Sequence, residues 1–278
     1  MRDLRGKVAA ITGAGSGIGR ALAVQLAGMG TALALSDVDE AGLAETAALV
    51  ARSGVRVTAE RVDVADRAAV HRHADAVIAA HGRVHLVVNN AGVALAASVA
   101  EMTYEDFDWL MGINFWGVVH GTKAFLPHLL HADEGHVVNV SSIFGIIAVP
   151  GQAAYHAAKF AVRGFTESLR VDLELARTRV SATCVHPGGI RTNIVRRSRI
   201  SAERAQRVSK EEMAREFERL ARRSPEQAAR AIIRGVQRNA RRVVIGPDAQ
   251  LLTTLQRLLP TAYQRLIVWG ARRSTLAP

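Results

Sequence analysis

The sequence predicts a doubly wound parallel α/β sheet with helices on both faces, in a single domain over residues 1–278. Three observations carry that expectation. Short apolar runs alternate with longer stretches of helical apolar spacing, the β-α-β order that builds parallel sheets. The first run passes directly into a glycine-rich turn and then a helix, Gly13-Ala-Gly15-Ser-Gly17-Ile-Gly19. The length of 278 residues suits one large α/β domain, and 49% hydrophobic content with only 5% aromatics points to an aliphatic core.

Residues 7–12 read as the first strand and 18–29 as the helix after it. Glycines between them let the backbone approach a pyrophosphate, while the first helical N–H groups and the helix dipole face it. Gly13, Ser16, Gly17, Ile18 and Gly19 are therefore candidate cofactor contacts, although Ile18 breaks the general Gly-x-Gly-x-x-Gly spacing. The second strand, 32–36, runs into Asp37, eighteen residues after Gly19, where an acidic side chain can accept from adenosine ribose hydroxyls. A helix over 39–52 needs a cap, and Asp39 can serve, which leaves Asp37 for the ribose.

The alternation continues with strand 55–62, helix 65–80 and strand 84–89. Ligands sit at the carboxyl ends of strands in such a sheet, where Asp63, Asn89 and Gly92 fall; each is also an ordinary turn residue. A long helix over 104–130, broken near Gly112 or Gly117, contains Asn114. A strand from 136 ends at Ser142, Pro150-Gly151 makes a turn, and an Ala-rich helix carries Tyr155 and Lys159 to about residue 176. Strand 179–185 leads to His186-Pro187-Gly188-Gly-Ile190-Arg-Thr192. The stretch to Arg223 is too long for an ordinary connection, so 190–223 reads as a substrate lid that Ile194, Val195, Ile200, Val208, Met213, Phe217 and Leu220 can line. A helix over 225–239 with Pro in its first turn and a strand at 242–246 complete the sheet.

Tyr155 and Lys159 lie one turn apart on one helix face. A phenol with a pKa near ~10 is a poor proton carrier at neutral pH, and an ammonium beside it favours the phenolate. Alone, such a pair is ordinary packing with a solvated lysine stem. Ser142, thirteen positions before Tyr155, and the N-terminal glycines change its weight.

With these residues the chain resembles the short-chain dehydrogenase/reductase family, whose hallmark is a Ser, then Tyr-x-x-x-Lys, behind Thr-Gly-x-x-x-Gly-x-Gly. The match is Ser142, Tyr155, Lys159 and Thr12-Gly13 through Gly17-Ile18-Gly19, within a resemblance spanning roughly residues 5–250. It implies a Rossmann-like sheet and reversible hydride transfer between a nicotinamide cofactor and a secondary alcohol or ketone. By the same resemblance, Tyr155 moves the proton, Lys159 lowers its pKa and binds the nicotinamide ribose, and Ser142 bonds the substrate oxygen. The backbone carbonyl of Asn114 holds a relay water, while its side chain has the alternative of satisfying backbone groups. Asp63 and Val64 flank the adenine; Asn89, Ala91 and Gly92 stabilise the sheet and border the nicotinamide ribose. The segment of Pro187, Gly188 and Ile190 packs on the nicotinamide, and Thr192 bonds its carboxamide. Asp37 repels a 2′-phosphate, so NAD is expected over NADP, with Arg20 the one nearby cation. Apolar residues after Ser142 (Phe144, Ile146, Ile147, Val149) and in Val93-Ala-Leu95 imply a lipophilic substrate. The alternative is a catalytically silent nucleotide-sensing or partner-binding protein on the same fold, which has no need of all four catalytic residue types.

The net charge of +11 is uneven: residues 190–278 hold 20 Lys and Arg against 7 Asp and Glu, and the rest is nearly neutral. No nucleic-acid motif accompanies it, so solvated helix faces are expected. Cys184 is the only cysteine, which excludes an internal disulfide or a cysteine metal site and suits a buried, inert thiol; no metal is expected. With no leader-like segment and no apolar run of membrane-spanning length, the expected location is cytoplasmic. The extension at 248–278 is amphipathic. Leu251, Leu252, Leu255, Leu258 and Leu259 form a stripe ended by Pro260, and Tyr263, Leu266, Ile267 and Trp269 a second face beside Arg265, Arg272 and Arg273. It is expected to bury against the domain or a partner subunit of a homo-oligomer (dimer or tetramer), the alternative being peripheral contact with an anionic bilayer.

Overall fold

Aliphatic runs become strands here because both faces of the sheet are covered. In the computed structural model, which describes residues 1–196 and 198–272, β1 (Val8–Thr12) is buried at every position. The chain continues through α1 (Gly17–Gly28), β2 (Ala32–Asp37), α2 (Glu40–Ala51), β3 (Val57–Arg61), α3 (Arg67–His81), β4 (Leu86–Asn89) and β5 (Leu95–Ala96). Next come α4 (Tyr104–Met111), α5 (Gly117–His131), β6 (Gly135–Val140), α6 (Ala153–Leu175), β7 (Val180–Pro187) and β8 (Arg199–Ile200). Helices α7 (Ala202–Ala205), α8 (Lys210–Leu220) and α9 (Pro225–Gln237), strand β9 (Arg242–Ile245), and helices α10 (Pro247–Leu258) and α11 (Tyr263–Ala271) complete the described chain.

Seven strands form one parallel sheet in the order β3-β2-β1-β4-β6-β7-β9. The order reverses between β1 and β4, which opens a crevice at their carboxyl ends. Leu22 and Leu26 of α1 meet Ile232 and Val236 of α9 on one face; Val77 of α3 meets Phe125 and Leu129 of α5 on the other. The expected doubly wound sheet is the one observed.

Local differences have local causes. The predicted helix over 104–130 is two helices joined by a π-turn at Gly112–Trp116. The third strand is shorter than 55–62, and as the edge strand it is half-buried or exposed. The presumed lid is partly structured: β8 pairs in parallel with β5, and α8 begins with a capping box between Ser209 and Glu212. Both C-terminal helices exist, with Arg273 and the side chain of Leu220 outside the described residues.

Candidate active site

The glycine turn is close-packed on the strand end beside it. Gly13 has φ +66°, and a Cβ there would lie 2.8 Å from the Ala91 Cα; a Cβ on Gly19 would run into the Gly13 carbonyl. Ser16 is the N-cap residue of α1, and its side chain makes no capping bond. Asp37 Oδ2 accepts from Gly15 N at 2.8 Å and its Oδ1 from Asp39 N at 3.0 Å, while Asp39 caps α2 through Gly42 N. Arg20 is committed to its surroundings. Its guanidinium donates to the Gly15 carbonyl at 2.6 Å, the Gly42 carbonyl, the Thr46 hydroxyl and Glu45.

Asp63 lies beyond β3, exposed, its Oδ1 accepting from Ala65 N at 2.9 Å; Val64 is buried against Gly117. Asn89 is buried and turned into the molecule, donating to Thr122 Oγ1 and to Asn139 Oδ1 on β6. It ties strand to helix, whereas Gly92 faces the catalytic side: a Cβ there would stand 3.2 Å from Asn114 Oδ1 and 3.6 Å from Lys159 Nζ. Asn114, fully buried in the π-turn, pairs twice with the Val93 backbone, its Oδ1 accepting at 2.8 Å and its Nδ2 donating at 2.9 Å. The alternative use of this side chain, satisfying backbone groups, is thus the one seen, and a π-turn also interrupts the regular carbonyl ladder.

Ser142 stands just beyond β6, its Oγ accepting from Phe144 N at 3.1 Å, and Tyr155 and Lys159 project from the first turns of α6. The Ser142 hydroxyl faces the Tyr155 phenol closely enough to favour its ionised form. Lys159 Nζ lies 5.5 Å from the Tyr155 ring centroid and donates to the Val140 carbonyl at 3.0 Å. The expected depression of the phenol is not the shift found. Burial pushes Tyr155 up to about 12, opposed by the nearby Ser142 hydroxyl, and pushes Lys159 down to about 8. Removing both groups from water penalises their charged forms more than the nearby amine offsets.

An apolar shell surrounds the phenol: Leu95, Leu110, Ala154 and Ala158 with Val93, Ala94, Phe144 and Ile194. Phe144 meets the Tyr155 ring edge to face at 6.1 Å. On the far side of the crevice Pro187 ends β7, Gly188 N donates to the Ile245 carbonyl, Ile190 is buried, and Thr192 sits beside Gly17. Most of the sequence-predicted residues thus lie at or just beyond the carboxyl ends of the strands, whereas Asn89 and the Asn114 side chain are turned inward.

Four supporting residues escaped the sequence reading. Asn90 donates to the Thr12 and Gly13 carbonyls at 3.0 and 3.1 Å, clamping the glycine turn. His186, pushed down to about 4 by burial and therefore neutral, donates through Nδ1 to the Ser142 carbonyl at 2.9 Å. His156 donates from Nδ1 to the Phe144 carbonyl and accepts from Val149 N, stapling the loop after Ser142 onto α6. Asp248 Oδ2 accepts from Gly189 N at 2.8 Å, fixing the loop after β7. Only Asn90 left a trace in the sequence, in its repeat with Asn89. Cys184 is buried, its thiol pushed up to about 12 by burial. Among the described residues no group of three His, Cys, Asp or Glu is placed to hold a metal ion.

A family model for short chain dehydrogenases matches residues 7–203. A Mycobacterium tuberculosis protein carrying the oxidoreductase name SadH is 50% identical over 273 residues, 98% of each chain. Among solved structures, a short chain dehydrogenase/reductase from Burkholderia phymatum in complex with NAD is 33% identical at a TM-score of 0.84, covering 92% of this chain and 95% of its own. Levodione reductase is 30% identical at a TM-score of 0.78, with 89% and 99% covered. With the fold, the crevice and these likenesses in agreement, the chain belongs to the short-chain dehydrogenase/reductase family of oxidoreductases.

Proposed function

We propose that this oxidoreductase transfers a hydride reversibly between NAD and a lipophilic secondary alcohol or ketone. The observation that carries the reading is the phenol of Tyr155, facing Ser142 and set in an apolar shell beside Lys159. The crevice fits a dinucleotide: Gly13 and Gly19 leave a cradle that a Cβ would fill, and the Lys159 ammonium, buried, uses one of its three donors on Val140. When bound, the nicotinamide gives or takes the hydride.

The chain's own residues manage the proton and the geometry. With its phenol pushed up to about 12, Tyr155 is protonated at neutral pH and gives its proton to a ketone oxygen; the reverse reaction asks it to take the alcohol proton. Ser142 Oγ, held against the phenol, bonds the same substrate oxygen. The remaining donors of Lys159 hold the nicotinamide ribose, and its positive charge favours the phenolate. The Asn114 carbonyl, in the interrupted ladder of the π-turn, holds a water that returns protons from bulk. Gly13, Ser16, Gly17, Ile18 and Gly19 take the pyrophosphate, Asp37 the adenosine ribose, and Asp63 and Val64 the adenine. Ala91 and Gly92 border the nicotinamide ribose, Asn89 bracing the sheet beneath them. Pro187, Gly188, Ile190 and Thr192 enclose the nicotinamide, and residues 190–223 cover the substrate.

NAD is preferred because Asp37 presents a carboxylate where NADP carries a phosphate, and Arg20 is already neutralised by Glu45. The NAD-bound Burkholderia structure supports this choice. A homo-oligomer is the assembly we assign, through the outer face of α6, where Phe160, Val171 and Leu175 are exposed around Gly164. The single buried cysteine suits the reducing cytoplasm. The test is NADH oxidation with a panel of ketones. Turnover with kcat/KM rising from acetoin-sized to bulky lipophilic ketones supports the reading; nucleotide binding without turnover of any ketone favours a silent sensor.

A further inference from the structure

We propose that the outward face of α10 and α11 docks this protein on an anionic phospholipid surface. The inner faces of the two helices are already occupied. Leu252, Leu255 and Ile267 pack on Ile146 and Ile147, and the Tyr263 hydroxyl accepts from Ala148 N at 3.1 Å. The helices are therefore held rigidly on the loop that follows Ser142, and the apolar stripe read in the sequence splits between this contact and solvent.

The outer face combines bulky apolar groups with cations. Leu251 and Leu258 of α10 are 70% and 73% exposed, and Trp269 of α11 is 58% exposed. On α11, Arg265, Val268, Trp269 and Arg272 recur at i, i+3, i+4 and i+7, so they share one side, where they line a shallow recess. Arg257, Arg265 and Arg272 are all exposed, and no Asp or Glu follows Asp248 in the chain.

That charge pattern selects the occupant. A two-fold contact of this face with a second copy is isologous and would bring the arginines toward their own counterparts with no carboxylate to meet them. An anionic bilayer supplies the missing charge. Leucine and tryptophan side chains settle at the headgroup boundary while arginine stems run along it with their guanidinium groups at the phosphates. No helix among the described residues is long and apolar enough to cross a membrane, so the contact is interfacial. The docked helices back onto the loop that carries Phe144 of the apolar shell, which would bring a lipophilic substrate to hand; that consequence rests on the proposed reaction, the docking does not.

The test is co-sedimentation of the full chain with phosphatidylcholine vesicles with and without phosphatidylglycerol, at low and high salt. Two variants accompany it, Arg265→Gln with Arg272→Gln, and Leu251→Ser with Leu258→Ser. Expected are binding to the phosphatidylglycerol vesicles alone, release by salt, and about 30-fold weaker binding without the two arginines, roughly fivefold for each. Sedimentation mass without lipid should be unchanged in both variants. Wild-type protein that stays in the supernatant, arginine variants that bind like wild type, or a leucine variant of lower oligomer mass would each overturn the proposal. None of these readouts uses turnover, so a failed substrate panel and a failed vesicle experiment remain separate results.

Discussion

Lys159 shows how much one buried cation governs here. Burial holds its amine down to about 8 from an ordinary 10.5, a depressed value for a base. Below pH 8 it is protonated folded and unfolded, and the folded state carries the full cost of a buried charge. Between about 8 and 10.5 the unfolded chain binds more protons, so stability rises with pH across that window. Lys159→Met should therefore be more stable than wild type at pH 7, by up to about 3 kcal/mol less the cost of orphaning the Val140 carbonyl. Thermal melts should show the gap closing toward pH 10; a variant less stable at every pH would contradict this. Tyr155 adds a rate prediction. Held up to about 12, it is protonated across the neutral range, so ketone reduction should be flat there while alcohol oxidation climbs with pH. Parallel pH profiles for the two directions would speak against it. Ser142, Tyr155 and Lys159 were singled out by the family resemblance, since the Tyr-to-Lys spacing alone is also ordinary packing. The direction of the phenol's shift was not legible, because burial is a tertiary property and the Ser142, Phe144 and Leu95 contacts that create it come from separate segments.

The alternation of elements was legible because the interior strands are short, mostly apolar runs and several helices begin at a capping side chain. Asp39 caps α2 and Gly82 ends α3 at φ 74° as their chemistry requires. The pairing of β5 with β8 was not legible, since two residues carry no periodicity and their partners are a hundred positions apart. Nor was the bracing of the glycine turn by Asp37 and Asn90, which exists only once β1, β2 and β4 are side by side. This bracing shapes a cofactor test. Asp37→Asn keeps an oxygen for the Gly15 amide and removes the charge. Wild type should favour NAD over NADP by at least ~10-fold in kcat/KM, about 1.4 kcal/mol, and the variant should lose most of that margin. A margin untouched by the substitution would mean that Asp37 does not set the choice.

At the scale of the whole molecule, the net charge of +11 was legible as an excess in the last third, but which faces it decorates depended on the fold. Two exposed apolar surfaces emerge and differ in charge. The α6 face carries Phe160, Val171 and Leu175 beside Arg163 and Glu167, which pair with each other, so it can meet its own copy. Val171→Glu should lower the oligomer mass in sedimentation velocity, and an unchanged mass would move the interface elsewhere. The most direct test of the central site is Tyr155→Phe, which keeps the ring in its apolar shell and deletes the transferable proton. At saturating NADH and ketone, kcat should fall by ~10² or more while NADH binding, followed by fluorescence, stays at the wild-type value. A variant that binds NADH and retains most of its kcat would contradict the account.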